Sequence, residues 1–199
     1  KARAAMVVTA CVNRNPVMIY AGQELGEQGM DEEGFSGRDG RTTIFDYWSL
    51  DTLRRWNNGG SWDDALLSPE EVRLKEFYSR LICLCNQEEA LSSGLFYDLM
   101  PPNYPNEAYD STSVFSFLRG NGARLLLIMA NFSDRDQSAS IIIPPHAYRF
   151  FNRESCMEKE AKLTPLLGKD GETVLFRSTE AAKVMLRAHD GEIFEISFT

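Results

Sequence analysis

Two kinds of apolar segment open the chain. Residues 2–12 are small and apolar almost all round, a pattern that predicts a helix buried on most of its surface. After a polar turn, residues 17–20 read VMIY, a run that is too short for a helix and half β-branched or aromatic. Such a run is typical of a parallel strand buried on both faces. Helix, short loop and buried strand together indicate the second half of a repeating β/α unit.

The composition changes in the segment that follows. Residues 21–40 contain six glycines and six acidic residues, which predicts a long irregular loop. Loops of this length inside compact domains are usually lids or binding loops. Because this loop follows a predicted buried strand, we expect it at the carboxyl end of that strand, where α/β enzymes keep their active sites.

A second helix is indicated further along the chain. Ser68, Pro69 and Glu71 supply an N-cap, a proline at the first helical position and a capping-box glutamate. Apolar residues then recur at spacings of two to four along 72–85, which predicts an amphipathic helix. Gly94 is the predicted C-terminal stop.

Beyond residue 94 the apolar pattern changes to a period of two. Short apolar stretches are separated by turns that carry glycine, asparagine or aspartate at hairpin positions. About seven strands in about a hundred residues predict an antiparallel sandwich. The predicted strands are 96–99, 114–119, 124–131, 138–143, 173–177, 184–188 and 193–198.

Composition and charge argue against several classes of protein. The 199 residues are 43% hydrophobic, enough for one large or two small packed domains. A formal net charge of -8 argues against binding to nucleic acid or an anionic membrane. No apolar run approaches the roughly 20 residues that cross a bilayer. The four cysteines lack paired metal spacing, so we expect reduced residues of the core or its boundary. The start at Lys1, within a helical pattern, favours a piece of a longer protein.

Two local motifs carry a resemblance to a known family. Residues 15–24 read NPVMIYAGQE, and residues 40–48 read GRTTIFDYW. The first is similar to the eighth-strand signature of the α-amylase superfamily (glycoside hydrolase family 13), and the second to the Arg-Thr segment that follows it. Residues 127–133 resemble a strand of the family's C-terminal domain. The resemblance implies an α/β plus all-β fold: the last helix-strand-helix of a (β/α)8 barrel over 1–94, then an antiparallel Greek-key β-sandwich over 95–199.

The resemblance also implies a chemistry. Members cleave α-linked glucans with retention, using a nucleophilic aspartate, a glutamate acid/base and a second aspartate. These motifs belong to strands that precede the opening helix, so we assign no catalytic residue here and expect this chain alone to be inactive. The implied partner is an α-glucan, without a cofactor. Transglycosylation uses the same intermediate and stays open.

Candidate binding residues flank the predicted eighth strand. The resemblance places Gln23 and Glu24 at the floor of the active site, and lets Asp39 and Arg41 reach sugar hydroxyls. Structural ties at a strand end, or a salt bridge within the loop, explain the same residues without a ligand. The acidic run 31–33 lacks the alternating oxygen spacing of a calcium loop, so no metal site is predicted. Aromatic side chains that could stack on sugars, or pack in a core or lid, are Tyr20, Phe35, Tyr47, Trp48, Trp56 and Trp62.

Two other functions stay open. One is a catalytically inactive amylase-like scaffold, which keeps the barrel without its carboxylates. The other is a carbohydrate-binding β-sandwich module, although residues 95–199 contain scattered Phe and Tyr and no Trp. Without the upstream barrel strands, residues 17–20 would form a barrel strand without neighbours. Because proteins avoid exposing such an apolar edge, we expect residues 1–67 to be poorly ordered, covered by the loop, or paired with a second copy of the chain through this strand.

Overall fold

The computed structural model describes residues 2–27, 50–168 and 172–199. These residues form two compact units. The larger consists of Lys1–Asn15 together with Leu81–Thr199, and the smaller is Pro16–Arg80. The boundary between a barrel part, 1–94, and a β domain, 95–199, stays a prediction. In the described ranges, no helix has the length and apolar character needed to span a membrane.

Both units contain helices. Single turns of 3-10 helix lie at Gln23–Leu25, Asn58–Gly60 and Glu154–Cys156. The α-helices in the described ranges are α1 (Ala2–Cys11), α2 (Asp51–Asn57), α3 (Pro69–Gln87), α4 (Glu89–Ser92), α5 (Met100–Asn103) and α6 (Pro145–Phe150).

Two antiparallel sheets form most of the larger unit. The strands are β1 (Leu95–Asp98), β2 (Val114–Gly120), β3 (Leu125–Asn131), β4 (Gln137–Ile141), β5 (Glu160–Pro165), β6 (Val174–Arg177), β7 (Ala182–Leu186) and β8 (Gly191–Phe198). Six strands pair in the order β1-β2-β3-β8-β5-β6, and the remaining two form the sheet β4-β7. Every pairing between neighbours is antiparallel.

The hydrophobic core draws on both sheets. Strand β3 is buried along its whole length, as expected for a strand between β2 and β8. Alternate residues of the outer strands point inward, so that β7 shows buried and exposed positions in turn. Six strands contribute core side chains that are at most 4% exposed, among them Leu118, Leu127, Ile141, Leu163, Val184 and Phe194.

Helix α1 packs on β3 and β8 of the six-stranded sheet. Gly191 allows the close approach, because a Cβ at this position would lie 3.0 Å from the Cβ of Val7. Arg3 Nη1 donates to the Asp190 carboxylate over 3.0 Å at the same end of β8. The small apolar residues that predicted a buried helix thus lie against a sheet, and the prediction of α1 is confirmed.

The capped helix is also confirmed. Ser68 Oγ accepts a hydrogen bond from the Glu71 backbone N–H, and the Glu71 carboxylate accepts one from the Ser68 backbone N–H over 2.7 Å. The predicted stop at Gly94 is wrong, because α3 ends at Gln87. Gly94 lies after the separate short helix α4, where its missing Cβ admits the carbonyl oxygens of Ala90 and Gly120.

The predicted parallel strand at 17–20 is absent from the structure. These residues carry no strand assignment, and the side chain of Met18 is 83% exposed. A parallel strand is stabilised by hydrogen bonds to neighbours on both sides, and the described residues supply none for this segment. The expectation of a strand buried on both faces is therefore wrong for this chain.

The seven predicted strands are all present, and no bound differs from its prediction by more than two residues. Strand β5 and helix α6 were not predicted. In β5 only Ala161 and Leu163 are fully buried, and the strand ends at Pro165, so its alternation is short. Helix α6 begins at Pro145 and contains aromatic residues that resemble a strand in composition.

Candidate functional site

The predicted site residues Gln23 and Glu24 lie in a tight turn of the smaller unit. They form the 3-10 helix Gln23–Leu25, with Gly22 before it at φ 84° and Gly26 after it at φ 76°. Both glycines adopt the left-handed conformation that L side chains rarely tolerate. A Cβ on Gly22 would also lie 2.8 Å from the Cβ of Glu27. The Gly-Gln-Glu motif therefore folds as a compact unit with a defined backbone.

Gln23 uses both ends of its amide for internal contacts. Its Oε1 accepts the backbone N–H of Tyr20 over 3.2 Å, and its Nε2 donates to the Tyr78 hydroxyl over 3.0 Å. Burial raises the pKa of Tyr78, the hydrogen bond from Gln23 opposes this, and the nearby Glu24 carboxylate adds to it. Gln23 thus connects segment 16–20 to α3, which is the structural role considered for it above.

Glu24 differs from its neighbour. Its Oε2 is buried and has no hydrogen-bond partner within the part of the chain that the structure describes. Buried carboxylate oxygens are normally hydrogen-bonded, so an unpartnered one indicates that a ligand, a water molecule or another segment would bond to it. Of the two described candidate binding residues, Gln23 and Glu24, Glu24 has the hydrogen-bond acceptor that could bind a ligand.

Glu27, also in the predicted loop, is already engaged. Its Oε2 accepts from the Thr52 hydroxyl over 2.6 Å and from the Thr52 backbone N–H over 3.2 Å. These bonds satisfy the first turn of α2, which has no side-chain cap of its own. Glu27 is a structural residue at the start of a helix.

Several predicted residues lie outside the described ranges. Asp39 and Arg41 belong to this group, as do the acidic run 31–33 and the aromatic residues Phe35, Tyr47 and Trp48. Their assignment stays a prediction. Among the residues that the structure does describe, no group of three or more potential metal ligands comes together.

The two described tryptophans pack against each other. Trp56 and Trp62 meet edge to face with ring centroids 5.2 Å apart, and the Lys75 ammonium lies 5.4 Å from the Trp56 ring. The side chain of Trp62 is 57% exposed. Trp56 is accounted for by packing, whereas Trp62 keeps an accessible aromatic face.

Sequence reasoning missed the ionic cluster that holds α2 on α3. Arg55 on α2 makes a bidentate contact with Glu71 on α3, at 2.6 and 2.7 Å, and its Nε donates to Asp51 over 2.7 Å. The Arg55 guanidinium lowers the pKa of Glu71 to about 2, helped by the hydrogen bonds from Ser68. The sequence indicated only one member of this cluster, Glu71, through the capping motif at Ser68. Arg55 could not be identified as its partner, because it lies 16 residues away in sequence.

The larger unit brings together aromatic residues that are scattered in sequence. Tyr97 on β1 lies 5.7 Å from His146 and 5.4 Å from Phe150, both on α6, measured between ring centroids. Phe150 packs in turn on Phe151 at 5.0 Å, and its side chain is 45% exposed. These four rings, Tyr97, His146, Phe150 and Phe151, are called the α6 aromatic cluster below.

Comparisons with known proteins give one consistent answer at the level of fold. No protein-family model matches the chain, and no curated protein matches it. Solved structures do match. An α-amylase from Anoxybacillus superposes with a TM-score of 0.59 at 16% identity, over 98% of this chain and 32% of that one. The α-amylase of Geobacillus thermoleovorans gives a TM-score of 0.55 at 15% identity, over 98% and 33%.

Isomaltulose and trehalulose synthases match over similar lengths. The isomaltulose synthase of Klebsiella sp. LX3 superposes with a TM-score of 0.53 at 16% identity, over 98% of this chain and 38% of that one. The chain thus spans about a third of the length of the structures that it matches. The resemblance found in residues 15–24 and 40–48 is confirmed at the level of fold: the chain is folded like the C-terminal region of α-amylase-type enzymes.

Proposed function

We propose that this chain is the C-terminal part of a retaining α-glucan hydrolase of the α-amylase type. The observation that carries the proposal is the match of nearly the whole chain to the C-terminal region of such enzymes. In the proposal, residues 1–94 complete a (β/α)8 barrel and residues 95–199 form its Greek-key β-sandwich.

The substrate class follows from the proteins that share the fold. AmyP structures hold maltose and maltotriose, and the Geobacillus α-amylase holds acarbose. We assign an α-linked glucose oligomer or polymer to the intact protein on this basis. The isomaltulose and trehalulose synthases share the fold as well, so transfer to sugar is the alternative reaction.

The reacting groups are assigned to the barrel strands that precede this chain. A retaining site needs two carboxyl groups about 5–5.5 Å apart, one as nucleophile and one as acid/base. The described carboxylates near the predicted strand do not supply such a pair, because Glu27 is occupied by Thr52 and Glu24 stands alone in its turn. Glu24, Asp39 and Arg41 contribute to binding in the proposal, and Gln23 orients the turn.

The test compares two proteins. The longer protein and the 199-residue chain are incubated separately with soluble starch and with maltotriose, and reducing sugar is measured. The longer protein is expected to release sugar whose first-formed product keeps the α configuration by proton NMR, and the chain alone to release none. Release by the chain alone, or a first product of β configuration, would contradict the proposal. Absence of all activity in the longer protein would favour the inactive scaffold.

The role of Glu24 has its own test in the longer protein. A hydrogen bond to a charged group contributes about 1.5–3 kcal/mol, so Glu24→Gln should raise KM by about tenfold or more. Glu76→Gln, on an exposed part of α3, is the matched control. An unchanged KM in Glu24→Gln would assign the unpartnered oxygen to a structural water instead.

The α6 aromatic cluster favours a second candidate function, a glucan-binding surface on the larger unit. Exposed rings stack on the apolar faces of sugars, and Phe150 presents such a ring. Phe150→Ala should abolish retardation of the chain in amylopectin-containing native gels. Phe132→Ala removes an exposed ring outside the cluster and serves as the control. Equal retardation of both variants would contradict this function.

A further inference from the structure

Two thiols of the larger unit lie against each other. Cys11 is the last residue of α1 and is fully buried, and Cys85 lies in the last turn of α3 and is partly buried. Their sulfurs are 3.9 Å apart although the residues are 74 positions apart in sequence. The remaining cysteines differ: Cys83 is exposed on the same helix, and Cys156 lies in a distant turn.

Arg119 on β2 lies beside this pair. Its Nη1 donates to the backbone carbonyl of Cys11 over 3.1 Å. The pKa of the Cys85 thiol is lowered by the hydrogen bond from Cys11 and by the guanidinium charge. The pKa of the Cys11 thiol is raised by its hydrogen bond to Cys85 and by burial. The more accessible sulfur is therefore the one that ionises first, as in thiol pairs where one residue attacks and the other resolves.

We propose that Cys11 and Cys85 form a reversible disulfide when the chain meets a low-molecular-weight disulfide such as oxidised glutathione. The Cys85 thiolate attacks one glutathione sulfur, forming a mixed disulfide and releasing one glutathione thiolate. The Cys11 sulfur then attacks Cys85 Sγ, forms the internal bond and releases the second glutathione thiolate. Each cysteine gives up one proton, the two glutathione thiolates take them up, and two electrons pass from the protein to glutathione.

The two sulfur atoms must move closer together before a disulfide bond can form. A disulfide bond is about 2.05 Å long, so the sulfurs must approach by about 1.9 Å. The new bond would close a covalent loop that contains all of Pro16–Arg80. Because a cross-link removes freedom from the unfolded chain, most of all when the loop is long, the oxidised form should unfold at a higher temperature.

The test uses the 199-residue chain with all four cysteines. The folded chain is equilibrated with oxidised glutathione, denaturant and iodoacetamide are then added together to block every remaining thiol, and linked peptides are identified by mass spectrometry. We expect two alkylated cysteines in place of four, a Cys11–Cys85 linked peptide, and a rise in Tm of several degrees that dithiothreitol reverses. The same treatment in concentrated urea should give mixed pairings.

Variants separate this pair from its neighbours. Cys83→Ser and Cys156→Ser should each keep the Cys11–Cys85 link, and Cys85→Ser should leave Cys11 free and alkylated only after unfolding. The proposal is overturned if glutathione stays on Cys85 without a link to Cys11, if all four thiols remain alkylatable, or if Cys83 forms links as readily as Cys85 in the folded chain.

Discussion

Arg119 should be the most sensitive single position of the larger unit. Its side chain is 1% exposed, and it makes no ion pair within the described residues. Its nitrogens instead donate to the carbonyl oxygens of Cys11 at 3.1 Å, Leu91 at 2.6 Å and Gly94 at 3.0 Å. A longer bond of 3.4 Å reaches Ala90. One guanidinium therefore satisfies carbonyl groups at the ends of α1 and α4.

The expected loss can be worked from these bonds. Arg119→Met keeps the apolar stem and leaves three well-bonded carbonyls without a donor, and each buried orphan costs about 1–3 kcal/mol. Removing the buried charge offsets part of this loss of stability, because desolvation of the guanidinium is unfavourable and lowers the pKa of Arg119. We expect a net loss of about 3–4 kcal/mol, a large share of a typical 5–15 kcal/mol of stability. Arg119→Lys should lose about half as much, since a single ammonium cannot reach all three carbonyls.

The assay is urea unfolding followed by far-UV circular dichroism, with the m-value used to confirm that the variants unfold by the same transition. Arg177→Met, on the exposed side of β6, is the matched control and should change stability by less than about 0.5 kcal/mol. The reasoning is refuted if Arg119→Met is within about 1 kcal/mol of the unmodified chain at an unchanged m-value.

Two further predictions concern the smaller unit. Because Arg55 lowers the pKa of Glu71 from 4.5 to about 2, the pair stabilises the fold above pH 4.5, and this is lost as the pH falls toward 2. Both side chains touch solvent, so Glu71→Gln should cost about 1 kcal/mol at pH 6 and nearly nothing at pH 2, by urea unfolding at each pH; a difference independent of pH would contradict this. Gly22→Ala should cost about 2 kcal/mol, because it strains a positive φ and brings a Cβ to 2.8 Å from that of Glu27; protection of nearby amides in hydrogen exchange should fall, and unchanged protection would count against it.

Gln23 and Glu24, which are adjacent in the candidate site, differ in their hydrogen bonding. Gln23 is fully used in holding segment 16–20 and α3 together, so its conservative replacement should act on stability more than on ligand binding. Glu24, one position on, keeps an unpartnered oxygen in the same turn. This division of roles between adjacent residues was open in the sequence, where both followed the same predicted strand.

Local signals in the sequence were sufficient for the elements whose stability is local. The capping box at Ser68 predicted the start of α3, since its reciprocal bonds join residues three apart. The short apolar stretches and hairpin turns after residue 94 predicted seven of the eight strands, because both signals lie within a few residues of each other in sequence. The sequence motifs at 15–24 and 40–48 indicated the fold that the solved structures share with this chain.

Contacts between residues remote in sequence were decided by the tertiary structure. Residues 17–20 have the composition of a buried strand, yet a strand exists only where neighbours offer hydrogen bonds, and the described chain offers none. The buried Arg119, the Arg55–Glu71 pair and the facing thiols of Cys11 and Cys85 join positions between 16 and 108 residues apart. No periodicity encodes such pairs, because they depend on how helices and sheet pack after each has formed.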